Sequence, residues 1–276
     1  RWNRRMCHTK LYISGGGSLI QDVTSRRSLW YYLYNIRQAK RHHNKVLMYG
    51  CGIGPVIRER HRKLAAQTLN RYVDAITLRE PDSLTELRSM GVENPDTRLS
   101  ADPALTLPPA DDVLVDSTLL SHGVPPQGDY ICFALRNWHG FDEKLPAIRA
   151  AAVHAYEKLG LMPVFLAVEK FQDPAVIQRA AEGLSVLSRM RLVVSMRLHA
   201  LIFAAGQGVP LVGIVYDPKV SAFLKYIGQD LYLDLAELEG DALCALIDQA
   251  AARERDAGQV QHLLEMERIN LETAQR

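Results

Sequence analysis

Two neighbouring apolar runs in the second half of the chain are each followed by side chains that could do chemistry. Arg197 and His199 come just after the run at 192–194, and Lys219 comes four residues after the run at 211–215. Arg and Lys bind phosphate and carboxylate groups, and His titrates near neutral pH, so it can give and take protons. The three side chains therefore predict a site for a small, highly anionic substrate with a proton to transfer.

The sequence around these three residues predicts two consecutive strand-helix units. Each apolar run has the length and the β-branched content of a buried strand. A helix of small residues follows His199, and Gly206 and Pro210 end it. Ligands of open parallel sheets bind beyond the carboxyl ends of the strands, often at a helix N-terminus, so we expect the basic residues at one sheet edge. The alternative, that they are ordinary surface or capping residues, stays open from the pattern alone.

Glycines follow two predicted strands of the first half, which cover residues 10–14 and 46–51. These glycines are Gly15, Gly16, Gly17 and Gly52. Without a Cβ, a glycine lets backbone N–H groups approach a ligand closely, although a tight connection is the alternative interpretation. The stretch has neither the GxGxxG spacing nor the lysine of a phosphate loop, so a nucleotide fingerprint is absent.

Charged residues follow two further predicted strands. Arg79 follows a strand of the first half and stands where Arg197 stands in the second. Arg136 follows the first strand of the second half, and Asp142 and Glu143 come shortly before the next helix. These two carboxylates are candidates for orienting or deprotonating a hydroxyl, and a solvated pair near a helix start is the alternative.

The order of these patterns predicts an α/β protein with two doubly wound domains that face each other across a cleft. The stretch at 111–128, flanked by proline and glycine, predicts a linker between domains at 1–110 and 129–276. Within the second domain we expect a strand over 162–168 and a helix that Pro174 opens.

The composition fits such a protein and argues against several other classes. Hydrophobic residues make up 47% of the 276 residues, enough for two cores, and no apolar run approaches the roughly 18 residues of a membrane-spanning helix. The four cysteines have neither CxxC nor metal-ligand spacing, which indicates reduced thiols of a cytoplasmic protein, with no metal site and no disulfide frame.

Charge is divided unevenly along the chain. Residues 1–100 contain 18 Lys and Arg against 8 Asp and Glu, a net charge of +10, whereas the remaining residues carry −8. The basic half suggests an anionic partner such as a phosphorylated lipid or the inner membrane surface, with the basic helix around 58–63 as the candidate contact. No nucleic-acid-binding motif is present, so we expect no nucleic-acid partner. Solvated helix faces are the alternative.

Five blocks of sequence resemble the polysaccharide pyruvyl transferase family, in particular its bacterial cell-wall CsaB type. The blocks are SGGGSLIQDVTS, YGCGIGPV, TLREPDS, FALRNW and SMRLHALIFAAGQGVPLVGIVYDPKV, in the family's order. The resemblance implies a GT-B-like fold of two Rossmann-type domains that transfers pyruvate from phosphoenolpyruvate to a sugar as a 4,6-ketal. It further implies that the acceptor is N-acetylmannosamine in a lipid-linked precursor of a secondary cell-wall polymer.

The resemblance also implies roles for individual residues. The donor-binding residues that it implies are Arg79, Arg197, Leu198, His199 and Lys219. His199 is expected to be the catalytic acid or base, and Asp142 is the second catalytic candidate because it could orient an acceptor hydroxyl. The remaining candidates, for the acceptor side or its loops, are Gly15, Gly16, Gly17, Gln21, Asp22, Gly52, Arg136 and Glu143. No cofactor and no metal are expected.

This chain departs from the family pattern in two places. A first strand and a glycine-containing loop precede the position of Arg1 in the family, and a segment near 183–187 looks shortened; the absence of methionine at position 1 suggests a fragment. Two other functions stay open: a GT-B glycosyltransferase that uses a nucleotide sugar, and a non-catalytic protein that binds a sugar phosphate or lipid carrier. The expected location is the cytoplasm, with peripheral contact at the inner face of the membrane and the oligomeric state left open.

Overall fold

A computed structural model describes residues 6–23, 25–166 and 186–276. The chain divides into two compact units. The first consists of Arg1–Pro103 together with Leu263–Arg276, and the second consists of Ala104–His262. Both are α/β units built on a parallel sheet, which confirms the predicted α/β class.

The first unit is a parallel sheet with strand order β1-β3-β4-β5, in which β2 also pairs with β3. Its strands are β1 (Leu11–Gly15), β2 (Ser18–Ile20), β3 (Lys45–Ile53), β4 (Ala75–Leu78) and β5 (Asp96–Leu99). Its helices are α1 (Arg26–Arg41), α2 (Glu59–Tyr72) and α3 (Pro81–Ser89). Strand and helix side chains such as Ile20, Leu33, Met48 and Ile76 are fully buried in one core, as apolar strand runs predict.

Local sequence explains where these helices begin and end. Ser25 caps α1 by accepting a hydrogen bond from the Ser28 N–H (3.2 Å), and Lys40 and Arg41 lie in the last turn, where the helix dipole favours positive charge. Pro81 occupies the start of α3, where its missing N–H costs no hydrogen bond.

The second unit is a parallel sheet with strand order β10-β9-β8-β6-β7. Its strands are β6 (Tyr130–Ala134), β7 (Met162–Phe165), β8 (Leu192–Ser195), β9 (Leu211–Val215) and β10 (Tyr232–Asp234). Its helices are α4 (Asp112–Ser121), α5 (Leu145–Leu159), α6 (Leu198–Gly206), α7 (Pro218–Tyr226) and α8 (Gly240–Ala251), followed by the start of α9 (Ala257–Gln275). From β6 the described chain adds β7 on one side and β8, β9 and β10 on the other, so the order reverses between β6 and β8.

The structure corrects the predicted domain boundaries. The stretch at 111–128 is not a linker, because it contains α4, and Arg189 Nη2 holds that helix through Asp112 (2.8 Å) and Asp116 (3.2 Å). The predicted second domain at 129–276 also extends too far, because α9 begins in the second unit and its residues from Leu263 onward belong to the first.

Hydrogen bonds attach the second half of α9 to the first unit. The buried Asn270 donates to the Ala101 carbonyl (2.9 Å) and accepts from the Ser100 hydroxyl (2.8 Å). Tyr49 of β3 donates to Glu267 (3.4 Å). These contacts give hydrogen-bond partners to buried polar groups of α9, as is usual for polar side chains inside a protein.

The structure describes only part of the two elements predicted between residues 162 and 183. The strand predicted over 162–168 ends at Phe165, and residues 167 and 168, the helix expected at Pro174 and the position Gly183 lie outside the described residues. Within the described ranges, every helix falls short of the length and apolar character needed to cross a bilayer.

Candidate functional site

Three neighbouring strands of the second unit bring the predicted basic residues to one edge. Ala134 of β6 lies opposite Ser195 of β8, and Ser195 lies opposite Gly213 of β9, so the carboxyl ends of the strands are in register. The residues that follow these strand ends are Arg136, Arg197, Leu198, His199 and Lys219. They lie where the strand order reverses, which is where open parallel sheets bind their ligands.

Arg197 is fixed by hydrogen bonds to the neighbouring strand ends. It stands just before α6 in extended conformation, and its backbone N–H donates to the Ser195 hydroxyl (2.8 Å). Its side-chain Nε donates to the Leu135 carbonyl (3.1 Å), and the Ser195 hydroxyl donates to the Ala134 carbonyl (3.1 Å). The guanidinium is therefore held across the reversal between β8 and β6.

His199 occupies the first turn of α6 and is exposed, whereas Leu198 and Ala200 on either side are buried. The pattern arises because α6 is almost entirely apolar and packs its other residues into the unit. An imidazole at the solvent-facing start of a helix can exchange protons with a ligand at the strand ends. Because His199 is exposed, it is not part of the apolar core.

Lys219 lies at the start of α7, directly after β9. Its Nζ is 3.2 Å from the Asp217 carboxylate, and its backbone N–H donates to Asp217 Oδ1 (3.1 Å). Asp217 therefore caps α7 and also sets the position of the ammonium group. The Asp217 carboxylate therefore already balances the charge of Lys219, and the remaining N–H donors of the ammonium group could reach an anion.

Arg136 lies beside a pair of aromatic rings, Trp138 and Tyr216, that contact each other. Its guanidinium carbon lies 5.2 Å from the Trp138 ring centre and 5.4 Å from the Tyr216 ring centre, and its Nη1 donates to the Tyr216 hydroxyl (3.1 Å). The two rings are 4.7 Å apart, edge to face. An Arg and a Trp two positions apart after a strand were the available signal, but the partner Tyr216 comes 80 residues later and only the fold brings it there.

In the first unit, Arg79 lies in a buried ion-pair cluster. The residue is 5% exposed, and its guanidinium lies 3.0 Å from the Glu80 carboxylate and 2.8 Å from the Asp102 carboxylate. It also donates to the Ser18 hydroxyl (3.3 Å). Burial raises the pKa of Glu80, although Arg79 and the Ser83 hydroxyl both oppose that rise. The predicted open anion clamp is thus a cation that two carboxylates already neutralise.

Gly52 is a glycine because this cluster leaves no room for a side chain. A Cβ at position 52 would lie 2.8 Å from Glu80 Oε1, 3.0 Å from Ser18 Oγ and 3.3 Å from Arg79 Nε. The residue therefore lets β3 approach the ion pair and is not exposed to a ligand. Its predicted place in a binding loop receives no support from this geometry.

The glycines after β1 form the turn into β2. Gly16 and Gly17 have φ values of 75° and 71°, which favour glycine, and a Cβ at either would meet no atom within 4 Å. Gly15 ends β1 beside Tyr49. This turn is the exposed part of the predicted glycine loop. The side chain of Gln21, just beyond β2, accepts a hydrogen bond from the Val23 N–H (2.9 Å).

Asp22 is buried and anchors the segment that begins α2. Its carboxylate accepts hydrogen bonds from the Ile57 N–H (2.8 Å) and the Arg58 N–H (3.2 Å), and it pairs with His61 Nδ1 (2.7 Å). Burial alone would raise the pKa of Asp22, but these hydrogen bonds outweigh it and lower the pKa to about 2. With its side chain fully buried, Asp22 supports local structure and does not face a ligand.

The other candidates are placed as follows. Asp142 and Glu143 are exposed in a single turn of 3-10 helix, Asp142–Lys144, that precedes α5. Burial raises the pKa of the Cys51 and Cys132 thiols to about 12, so neither is a thiolate nucleophile at neutral pH. In the part of the chain that the structure describes, no group of three or more His, Cys, Asp or Glu side chains suits a metal ion.

Two parallel sheets, one of them with a set of basic side chains after its strand ends, define a GT-B-like α/β protein. The polysaccharide pyruvyl transferase family model matches residues 2–218. The chain therefore belongs to the polysaccharide pyruvyl transferase family, and membership implies transferase activity towards a polysaccharide acceptor. No curated protein sequence matches the chain.

Solved structures with the same fold have very different sequences. A UDP-GlcNAc 2-epimerase from Methanocaldococcus jannaschii matches 99% of this chain and 80% of its own length, with a TM-score of 0.67 and 11% identity. An Anabaena protein solved in complex with UDP and glucose matches the same shares, with a TM-score of 0.58 and 11% identity. These matches confirm the GT-B-like fold.

Proposed function

We propose that this protein transfers the pyruvyl group of phosphoenolpyruvate to two hydroxyls of a sugar, forms a 4,6-ketal and releases phosphate. The observation that carries the proposal is the set of basic side chains at the aligned ends of β6, β8 and β9. Phosphoenolpyruvate carries a phosphate and a carboxylate on three carbons, so it is the kind of small, highly charged donor that such an edge binds.

The reaction needs one proton added and two removed. A proton is added to the methylene carbon, one sugar hydroxyl forms a bond to the adjacent carbon, and the phosphate then leaves with its bridging oxygen. The second hydroxyl bonds to the same carbon and closes the ketal. Each hydroxyl loses its proton: one of these two protons balances the proton added to the methylene carbon, and the departing phosphate takes up the other, so the net products are ketal and inorganic phosphate. His199 is suited to these proton transfers because its imidazole, a common general acid or base, is exposed at the strand edge.

The basic residues divide the remaining work. Arg197, held by the Leu135 carbonyl, and Lys219, held by Asp217, bind the donor anion and stabilise the departing phosphate. The backbone N–H of Leu198 lies at the start of α6, where free N–H groups favour an anion. We assign Arg79 a positioning role and no direct contact with the donor, because its guanidinium already forms ion pairs with Glu80 and Asp102.

The acceptor is proposed to be N-acetylmannosamine in a lipid-linked cell-wall polymer precursor, as the CsaB-type resemblance implies. The exposed turn at Gly16 and Gly17 is the acceptor-side candidate in the first unit. Asp142 and Glu143 are exposed and could orient acceptor hydroxyls. A lipid-linked acceptor would be presented at the inner face of the membrane, which agrees with a cytoplasmic protein that contacts anionic lipid.

A phosphate-release assay tests the proposal. With phosphoenolpyruvate and an N-acetylmannosamine-containing lipid-disaccharide mimic, we expect acceptor-dependent release of phosphate. His199→Ala should lower kcat by roughly 10²–10⁴-fold, the usual contribution of a general acid or base. His262→Ala is the matched control, because His262 is an exposed histidine on α9 of the same unit.

Two outcomes would contradict this function. Phosphate release that His199→Ala leaves unchanged would remove the catalytic assignment. Thermal stabilisation by a nucleotide sugar, with none by phosphoenolpyruvate, would favour a glycosyltransferase instead.

A further inference from the structure

We propose that Arg136, held beside Trp138 and Tyr216, binds the phosphate group of the donor and forms the phosphate subsite together with Lys219. This inference rests on the function proposed above and assigns to the donor side a residue that the sequence had suggested for the acceptor side. Trp138 and Tyr216 lie within two of the sequence blocks that resemble the family, but no role was assigned to either.

Position is the first argument. Arg136 follows β6, the strand next to the reversal of strand order, and lies directly after Leu135. The Leu135 carbonyl is the acceptor for Arg197 Nε (3.1 Å). The two arginines therefore follow adjacent strands at the place where such sheets bind ligands, and the backbone of one strand holds the side chain of the other.

Charge is the second argument. Among the residues that the structure describes, no carboxylate lies within ion-pair distance of Arg136; its described hydrogen-bond partner is the uncharged Tyr216 hydroxyl. By contrast, Arg79 has two carboxylate partners and Lys219 has Asp217. Because no described carboxylate offsets its positive charge, the half-buried Arg136 guanidinium can attract an anion from solution.

The aromatic rings supply the third argument, because both attract the guanidinium, and the Tyr216 hydroxyl accepts a hydrogen bond from it. Trp138 and Tyr216 lie edge to face at 4.7 Å, and each ring centre is within 5.4 Å of the Arg136 guanidinium carbon. Rings at this distance attract the cation and limit its rotation, so less entropy is lost when the fork binds. Trp138 is 40% exposed, which indicates that the cluster is open to solvent.

The choice of phosphate over carboxylate follows from the second cation on the same ring. Lys219 Nζ lies 6.0 Å from the Tyr216 ring centre, so two positive groups adjoin one tyrosine. At neutral pH a phosphate monoester carries close to two negative charges, whereas a carboxylate carries one. Asp217 offsets the charge of Lys219, but the two cations still present N–H donors for the three terminal oxygens of a phosphate, and the doubly negative group is attracted more strongly than a carboxylate.

Calorimetry with inorganic phosphate and steady-state kinetics with phosphoenolpyruvate test this subsite. Arg136→Met should weaken phosphate binding and raise KM by about 10- to 100-fold, the range for losing charge-assisted hydrogen bonds. Arg136→Lys, which keeps the charge and loses the planar fork, should give a smaller loss. Tyr216→Phe removes only the hydroxyl that orients Arg136 and should raise KM more than it lowers kcat. Arg149→Met is the control, because Arg149 is an exposed arginine on α5 of the same unit.

The outcomes separate this inference from the proposed function. If Arg136→Met and Arg136→Lys both fold and bind phosphate as the unchanged protein does, the subsite is wrong even when turnover depends on His199. If they lose affinity for pyruvate and keep it for phosphate, Arg136 binds the carboxylate and the assignment to phosphate is wrong. If phosphate binding depends on Arg136 but no acceptor supports turnover, the subsite stands and the proposed transfer reaction fails.

Discussion

Arg79 and Arg197 occupy similar positions in the sequence but differ in burial and in ion pairing. Arg79 and Arg197 each follow a strand, yet Arg79 is 5% exposed and paired with Glu80 and Asp102, whereas Arg197 is half-buried and bonds to a carbonyl. A strand-end arginine is visible in the sequence, but the carboxylate that reaches it from another strand, such as Asp102, is not. The sequence therefore predicts that both arginines follow strands, but it does not show that only Arg79 is paired with buried carboxylates.

Asp22 makes a pH-dependent contribution to stability. Its pKa is about 2 in the folded protein against 3.8 for the free side chain, so folding favours the charged form by about 2 kcal/mol. Because the folded pKa is the lower one, this stabilisation is complete above about pH 5 and is lost as the pH falls towards 2. Asp22→Asn should therefore lower the free energy of unfolding at pH 7 by about 2 kcal/mol.

Urea unfolding at pH 7 and at pH 3 measures this effect. The difference between Asp22→Asn and the unchanged protein should shrink at pH 3. Asp129→Asn, at an exposed aspartate, should change stability little at either pH. A difference that is the same at both pH values would contradict the role given to the Asp22 carboxylate.

At the scale of elements, the strands that read as short apolar runs were predicted well. The runs at 130–134, 192–195 and 211–215 became β6, β8 and β9, because buried parallel strands need continuous apolar sequence. The stretch at 111–128 was mispredicted because its flanking prolines and glycines hid the ten-residue helix α4. The division of α9 between two units depends on contacts with residues far away in the chain, which no local pattern contains.

The contact between α9 and the end of β5 can be tested through Asn270. Asn270→Ala removes the buried amide that donates to the Ala101 carbonyl and one of the two acceptors near the Ser100 hydroxyl, the other being the Leu78 carbonyl (3.0 Å). It should therefore lower the free energy of unfolding by about 1–3 kcal/mol. Chemical denaturation measures the loss. Glu272→Ala, at an exposed position on the same helix, should have little effect. An equal loss from both variants would show that Asn270 is not the attachment point.

At the scale of the whole molecule, the sequence predicted the fold class and the strand edge of the second unit, but not the Trp138 and Tyr216 pair around Arg136. The charge division is also visible in the sequence, with +10 on the first 100 residues. The structure adds that exposed apolar side chains accompany this charge. Ile57, at the start of the basic segment, is 69% exposed, and Trp30 is 51% exposed with its ring against His61 (6.3 Å). Aromatic and basic side chains together are typical of surfaces that bind anionic lipid.

Sedimentation with phosphatidylglycerol vesicles at low salt tests this surface. Each basic residue near an anionic membrane contributes about 1 kcal/mol, so the double variant Arg60→Glu, Lys63→Glu should weaken binding by at least roughly 30-fold. The matched double variant Arg149→Glu, Lys158→Glu reverses two exposed charges on α5 of the second unit and should leave binding nearly unchanged. Equal losses in both variants would indicate attraction by net charge alone.

The path of α9 has a practical consequence for dissecting this protein. The chain passes between the two units twice, at 103–104 and again at 262–263. A fragment that stops at Pro103 would lose the hydrogen bonds that Asn270 makes with the Ser100 hydroxyl and the Ala101 carbonyl. To produce the first unit separately, residues 263–276 must therefore be fused to it. They could follow residue 103 through a linker, or precede β1 in a circular permutant.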